Sequence, residues 1–321
     1  MKKALIVGID DYPCCSLGGC INDAYAVSKM LEYNEDGSKN FDICLETNIE
    51  TKGKLTEKVQ ELFSGTSEVA LFYFSGHGYI DEIGGIIVTP DYNKCDMGVF
   101  MNTILKLAND SKCKNKVIIL DCCYSGDMGR TGFDGTSSTI GEGVTVLTAS
   151  LPIEAAMEVN GHGVFTNLLL SALSGGAANI LGKITPGSIY AYIDQALGAW
   201  QQRPVFKTNI SKFISIRDVE PRISLRTLKT IVNYFDNSDK EFRLDPSYEF
   251  TNNEEAEHKV KEPYANADNV KIFKNLQVFE SAGLVEPVGE EHMYFAAMNS
   301  KSCKLTTLGQ YYWRLVTDKR I

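Results

Sequence analysis

Two cysteines stand side by side, Cys122 and Cys123, where the apolar run "NKVIILD" gives way to the glycine-bounded turn "CCYSGDMG". A thiol reacts as its thiolate, so it needs a base or a positive field beside it. The chain holds four histidines, few enough to weigh singly. His77 ends another apolar run, "VALFYFSG", between Gly76 and Gly78; His162 precedes a helix-like segment, His258 lies in an acidic stretch and His292 in "GEEHMYF". Parallel strands of an open α/β sheet present their C-terminal ends together, and reacting groups collect there. His77 is therefore the histidine expected to meet the cysteine turn, with the Gly78 amide as a donor to a developing oxyanion. Taken singly, a strand cysteine is more often a small buried hydrophobe, and a histidine before glycine a turn residue. Their matching positions at two strand ends argue for chemistry instead.

The elements that must position these groups can be read from apolar patterning. Strands are expected at 3–10, 41–47, 69–76, 115–121, 143–150 and 204–210, several of them apolar on consecutive positions, as in strands buried on both faces. Helices are expected between them at 22–32, 51–63, 99–110, 163–173 and 185–197, the last opened by the cap-and-proline pair Thr185-Pro186. The fold class is α/β, a sandwich with a mostly parallel central sheet. After "FISIRDVEPR" the character changes, which divides the chain into domains 1–217 and 218–321. Residues 236–267 are polar and acidic and read as an exposed loop; helix 269–283, strand "LVEPV" and a final helix "KLTTLGQYYWRLV" follow, a small α+β accessory domain of winged-helix-like order.

Bulk properties exclude several classes. A net charge of −9 argues against nucleic acid as the main partner, since neutralising phosphates needs a basic surface. No apolar run reaches the length of a membrane span, and "MKKALIVGID" reads as a first strand, so a cytoplasmic protein without a membrane partner is expected. Nine scattered cysteines fit reduced thiols, and no spacing suits a structural zinc site.

"YFSGHG" followed by "DCCYSG", with "ALIVGIDDYP…LGGCINDA" before and "GVFTNLL" after, resembles the caspase-like cysteine peptidases, in the metacaspase and prokaryotic caspase-homologue branch. The resemblance covers about residues 1–215 and implies a caspase-like fold. It places the nucleophile at the third position of D-x-C-x-S-G, Cys123, with His77 as general base; Cys122 falls at the variable position and, by strand alternation, faces the other way. The caspase motif QAC[RQG]G is absent. In the metacaspase branch the primary pocket is acidic and cleavage follows Arg or Lys; the matching positions here are Asp23, Ser75 and Asp121. Carboxylates in a partly dry pocket suit a guanidinium. Asp23 has an alternative role as an acid in the first turn of a helix, and Asp121 as a turn former.

No cofactor is expected. Calcium, which many metacaspases require, is in doubt: Asp81, Glu82, Asp91 and Asp96 are scattered, and a hard cation wants six to eight oxygens. Arg130, the single basic residue in "GDMGRTGFDGTSSTIGEG", is a candidate for self-cleavage or a solvated loop charge. In the tail, "YYWRLV" is either core or an anchor for a protein sensor or activator, with core favoured. Three functions follow for test. The first is an Arg/Lys-directed cysteine endopeptidase acting on a protein substrate, of the kind that in bacteria serves regulated cell death or antiphage defence. The second is a silent caspase-like scaffold, against which the intact His77 and Cys123 argue. The third is a DNA-binding regulator, which the acidic charge disfavours.

Overall fold

The computed structural model describes residues 1–80, 82, 84–122, 130–131, 137–149, 158–159, 162–197, 204–253 and 260–321. The chain divides into two compact units, Met1–Glu220 and Pro221–Ile321.

In the first unit, strands and helices alternate as β1 (Lys2–Gly8), α1 (Cys20–Glu32), β2 (Asp42–Thr47), α2 (Lys52–Phe63), β3 (Val69–Ser75), β4 (Gly78–Ile80), β5 (Gly85–Asn93), β6 (Asp96–Phe100), α3 (Met101–Asp110), β7 (Asn115–Asp121), β8 (Arg130–Thr131), β9 (Ser137–Ser138) and β10 (Val144–Thr148). They continue as β11 (Glu158–Val159), β12 (His162–Gly163), α4 (Val164–Ser171), β13 (Lys183–Ile184), α5 (Pro186–Ala196), β14 (Val205–Asn209) and β15 (Arg217–Asp218). Six of these strands form the central sheet in the order β14-β10-β7-β3-β1-β2, parallel except for the antiparallel edge strand β14. The fold is the mixed α/β arrangement expected of a caspase-like domain.

Alternation along the buried strands divides the core in two. Leu5, Val7, Phe72, Phe74, Ile118 and Leu120 face α2 and α3, meeting Leu55, Val59, Ile104 and Leu105. Ala4, Ile6, Leu71, Tyr73, Val117 and Ile119 face α1, α4 and α5, meeting Val27, Leu31, Leu169 and Ile193. Each fully buried Leu, Ile or Phe contributes about 1.5–3 kcal/mol, so both helical layers are held by apolar burial. Register aligns the strand ends: Gly8 pairs with Ser75, and Ser75 with Asp121.

Local signals act where they were read. Thr185 accepts a hydrogen bond from the Ser188 amide and opens α5 with Pro186 behind it. The expected helix at 99–110 starts later, at Met101, because residues 96–100 extend into β6 of a small antiparallel sheet, β4-β5-β6. The stretch after the cysteine turn carries a short antiparallel pairing of Arg130 with Ser138 and Thr131 with Ser137.

The second unit holds α6 (Leu225–Leu228), α7 (Ile231–Tyr234), β16 (Phe242–Arg243), α8 (Ala267–Ser281), β17 (Val285–Val288), α9 (Met293–Met298), β18 (Ser302–Leu305) and α10 (Thr307–Thr317), with a three-stranded antiparallel sheet β16-β18-β17. Phe235, Phe273, Leu276, Phe279, Leu284 and Cys303 are buried in it. The reading of 236–267 as an exposed loop holds for much of the segment, whose residues 254–259 lie outside the described residues, but not for all of it. Leu244, Ser247, Glu249 and Asn252 are buried. The Asn252 amide donates to the carbonyls of Pro246, Lys261 and Pro263, and its Oδ1 accepts from the Lys261 amide. One polar side chain thus ties the segment together internally, which composition cannot reveal. The terminal aromatics divide: Tyr312 is buried, the Trp313 indole donates to the Phe235 carbonyl at 2.6 Å, and Tyr311 is exposed.

Candidate active site

His77 follows the end of β3 through Gly76, where a Cβ would lie 2.6 Å from both the Phe74 ring and the Tyr12 hydroxyl. Only glycine lets the backbone pass so close. The Tyr12 hydroxyl accepts from the His77 amide at 3.0 Å and donates to the Val88 carbonyl at 3.4 Å, and burial pushes its phenol up, which keeps it protonated. The His77 imidazole rests on the Tyr12 ring, centroids 4.6 Å apart, and its Nε2 lies 2.6 Å from the Cys15 carbonyl oxygen. A carbonyl only accepts, so Nε2 carries the proton and Nδ1 keeps the lone pair. This orientation selects Nδ1 as the basic nitrogen.

The Val88 amide donates to the His77 carbonyl, and Gly78 pairs with Ile87. In an antiparallel ladder that makes Gly78 and Ile87 a non-hydrogen-bonded pair, which turns the Gly78 amide away from β5. Cys122 is buried in the apolar cluster with Phe74, Leu120 and Tyr12, the face expected from alternation. Cys123 lies outside the described residues.

Asp23, Ser75 and Asp121 come together on the opposite face. Asp23 is 2% exposed although it sits in the first turn of α1. The helix N-terminus is capped from elsewhere: the Cys20 and Ile21 amides donate to the two oxygens of the Asp10 carboxylate at 2.9 and 3.2 Å. Asp23 instead accepts from the Ser75 hydroxyl at 3.2 Å and from the Gly163 amide at 3.4 Å. The Asp23 carboxylate is thus engaged away from the cap position that Asp10 fills. Gly8 makes this approach possible, since a Cβ there would lie 2.3 Å from the Cys20 carbonyl oxygen.

Asp121 accepts from the Thr166 hydroxyl at 2.6 Å, and the Tyr73 hydroxyl in turn lies 2.5 Å from that of Thr166, completing a relay of donors from Tyr73 through Thr166 to the carboxylate. Burial pushes the Asp121 carboxyl up to about 6, with the Asp23 charge adding to the rise and the Thr166 hydrogen bond opposing it. A Cβ on Gly163 would lie 2.9 Å from Asp121 Oδ2 and 3.5 Å from Asp23 Oδ2, so glycine lets the backbone pack directly against both carboxylates.

A family model of the caspase domain, peptidase family C14, matches residues 1–213. The chain belongs to the caspase-domain family. Membership supports a cysteine-peptidase type of hydrolase. A crystal structure of a protein from Geobacter sulfurreducens is also similar, at 13% identity and a TM-score of 0.47, covering 69% of this chain and 98% of that one. No curated protein matches the chain.

Within this caspase domain, sequence reasoning missed four residues of the acidic site. Thr166 and Tyr73 hold Asp121, Gly163 shapes the space between the acids, and Cys20 lies beside Ser75. Burial pushes the Cys20 thiol up, and the neighbouring Asp10, Asp23 and Asp121 add to it against a Ser75 hydrogen bond. Neither Thr166 nor Tyr73 had a signal: Thr166 is one of two hydroxyls in "GVFTNLLLSAL", and Tyr73 is one aromatic among several in β3. Two of the acids weighed for calcium have other partners. Asp91 accepts from the Lys52 amide at the start of α2, and Asp96 pairs with the Lys52 ammonium at 2.8 Å. Asp81 lies outside the described residues. Among the described residues no group of three or more His, Cys, Asp or Glu is placed to hold a metal ion, and no helix is long and apolar enough to cross a membrane.

Proposed function

We propose that this caspase domain is a cysteine endopeptidase that cleaves after Arg or Lys, with Cys123 as nucleophile and His77 as base. Nδ1 of His77 takes the thiol proton, the thiolate adds to the scissile carbonyl, and the Gly78 amide donates to the oxyanion. The imidazolium then protonates the leaving amine, and water, activated by the same nitrogen, hydrolyses the acyl-enzyme. The observation that supports the specificity is the meeting of the buried Asp23 and the half-buried Asp121 beside Ser75, two residues before His77 in the chain. Two desolvated carboxylates repel each other and disfavour ionisation. A substrate guanidinium or ammonium entering between them supplies the missing positive charge, whereas an aspartate side chain would add a third negative one.

The expected setting is a cytoplasmic effector of regulated cell death or antiphage defence, an inference that rests on family resemblance. The second unit, Pro221–Ile321, is the seat we assign to a protein sensor or activator. Reporter peptides ending in Arg, Lys or Asp, offered to wild type and to Cys123→Ala, test the reading. Turnover of the basic reporters by wild type alone supports it. Preference for Asp overturns the pocket assignment, and no turnover of any reporter favours the silent scaffold. Self-cleavage is part of the same proposal: activated enzyme should yield a fragment ending at Arg130 that Cys123→Ala does not. Because β8 pairs with β9 and a protease binds its substrate extended, that short ribbon must open first. Mass spectrometry of fully active protein that stays one intact chain would remove the requirement for this cut.

A further inference from the structure

Cys14 and Cys15 are adjacent in sequence, exposed, and 3.5 Å apart at sulfur. Exposed thiols contribute nothing to core packing, so burial does not account for the pair. Their surroundings are specific. The Tyr92 hydroxyl is hydrogen-bonded to Cys14 Sγ, and Cys15 is the residue whose carbonyl orients His77. The loop carrying them is anchored at both ends: Tyr12 is buried, and the Leu17 amide donates to the Asp10 carbonyl at 2.9 Å.

We propose that Cys14 and Cys15 form an oxidisable dithiol site that takes a hydroperoxide as its oxidant and closes to a vicinal disulfide. The Cys14 thiolate attacks one peroxide oxygen, the O–O bond breaks, and a sulfenic acid forms on Cys14 as the first water (or alcohol) leaves. The Cys15 thiolate then attacks that sulfur, the S–S bond forms, the S–O bond breaks and a second water leaves. The two thiols lose two electrons and the peroxide gains them. The order follows from the surroundings, since the Tyr92 hydrogen bond, with the adjacent thiol, holds Cys14 below the usual thiol range, while the Cys14 neighbour pushes Cys15 up.

Closure has a mechanical consequence. The sulfurs must approach from 3.5 Å to about 2 Å, and neighbouring Cα atoms stand about 3.8 Å apart, less than most disulfides span. The ring is strained, easily reduced again, and turns Cys15 about its own Cα. The carbonyl that holds His77 Nε2 moves with it, so oxidation unsettles the imidazole without touching Cys123. The dithiol site stands on its own chemistry; its effect on turnover rests on the proposed role of His77 as base.

The test uses the full chain carrying Cys123→Ala, which removes the competing reactive thiol. After hydrogen peroxide and then alkylation, the tryptic peptide from Ala4 to Lys29 should appear two hydrogens lighter with Cys14 and Cys15 unalkylated. A dithiol reductant should reverse this, and Cys14→Ser should prevent it with unchanged Tm. Alkylation of both residues, a bond to Cys20, or covalent dimers on a non-reducing gel would overturn the site. Imidazole ¹⁵N spectra read the coupling separately, because the chain has only four histidines. Oxidation should shift the His77 signals alone. A formed disulfide with His77 unmoved would overturn the link to the histidine, and neither result depends on whether the enzyme cleaves after Arg.

Discussion

On one face of the central sheet, Phe74, Leu120 and Cys122 close an apolar cluster around Tyr12, and the His77 ring rests on that tyrosine. On the other face the residues between them in sequence, Ser75 and Asp121, meet Asp23 and Thr166. The same two strand ends thus carry a dry face beneath the His77 ring and a face on which carboxylates and hydroxyls meet. A two-residue period makes this economical, since neighbours in sequence point to opposite faces. The faces differ in what they do to stability. The apolar face is held by burial, whereas the acidic face is folded against the preference of its carboxylates, as the raised Asp121 shows. A site that opposes its own folding in this way is the one to examine for function.

Substitutions can break that comparison, and the largest effects fall on the reacting groups. Cys123→Ala and His77→Ala should each lower kcat by at least about a hundredfold. Cys122→Ala, on the apolar face, should keep most of the activity and cost about 1 kcal/mol or less of stability, read by denaturant titration. A dead Cys122→Ala enzyme with an active Cys123→Ala would exchange the roles of the two cysteines.

Next come the acids. Asp23→Ala and Asp121→Ala should each reduce kcat/KM for Arg reporters by more than about tenfold, or roughly 1.4 kcal/mol. Equal losses on an uncharged reporter would show a fold defect rather than a lost receptor.

A smaller effect appears in pH. Below about 6 Asp121 becomes neutral in the free enzyme, so affinity for a guanidinium competitive inhibitor should fall as pH drops through that region. The same titration on Asp121→Asn should be flatter, and an unchanged slope would assign the proton to another group.

The smallest effect is on stability, and its sign is opposite. A carboxyl whose folded pKa is raised stabilises the fold fully below its unfolded value near 4 and loses that contribution as pH rises through about 6. Asp121→Asn keeps an acceptor for Thr166 without the charge. It should raise Tm relative to wild type, more at pH 8 than at pH 5, while activity on Arg reporters falls. A lower Tm at pH 8 would mean that the charge supports the fold and that the two faces do not differ as described.

Much of this was legible beforehand. The sequence located the six strands of the central sheet to within two residues, and most plainly the inner four, which are buried on both faces and therefore almost wholly apolar. The glycine-bounded ends of β3 and β7 pointed to His77 and the cysteine turn. Thr166 and Tyr73 were hidden, since a hydroxyl inside an apolar segment looks the same whether it bonds its own helix or a carboxylate 45 residues away. Residues 236–253 misled for a similar reason: Asn252 reads as loop composition, yet it is buried and bonds three carbonyls.

What the sequence determined by itself was period and type: which segments are strands, which are helices, and which residues at strand ends can ionise or attack. The tertiary structure decided partnership. Asp10 took the helix cap and freed Asp23 for Ser75, Gly8 admitted α1 close enough for them to meet, and the Cys15 carbonyl fixed which nitrogen of His77 is basic. None of these joins neighbours in the chain, and hydrogen bonding and close packing act over a few ångströms of space, whatever the separation in sequence.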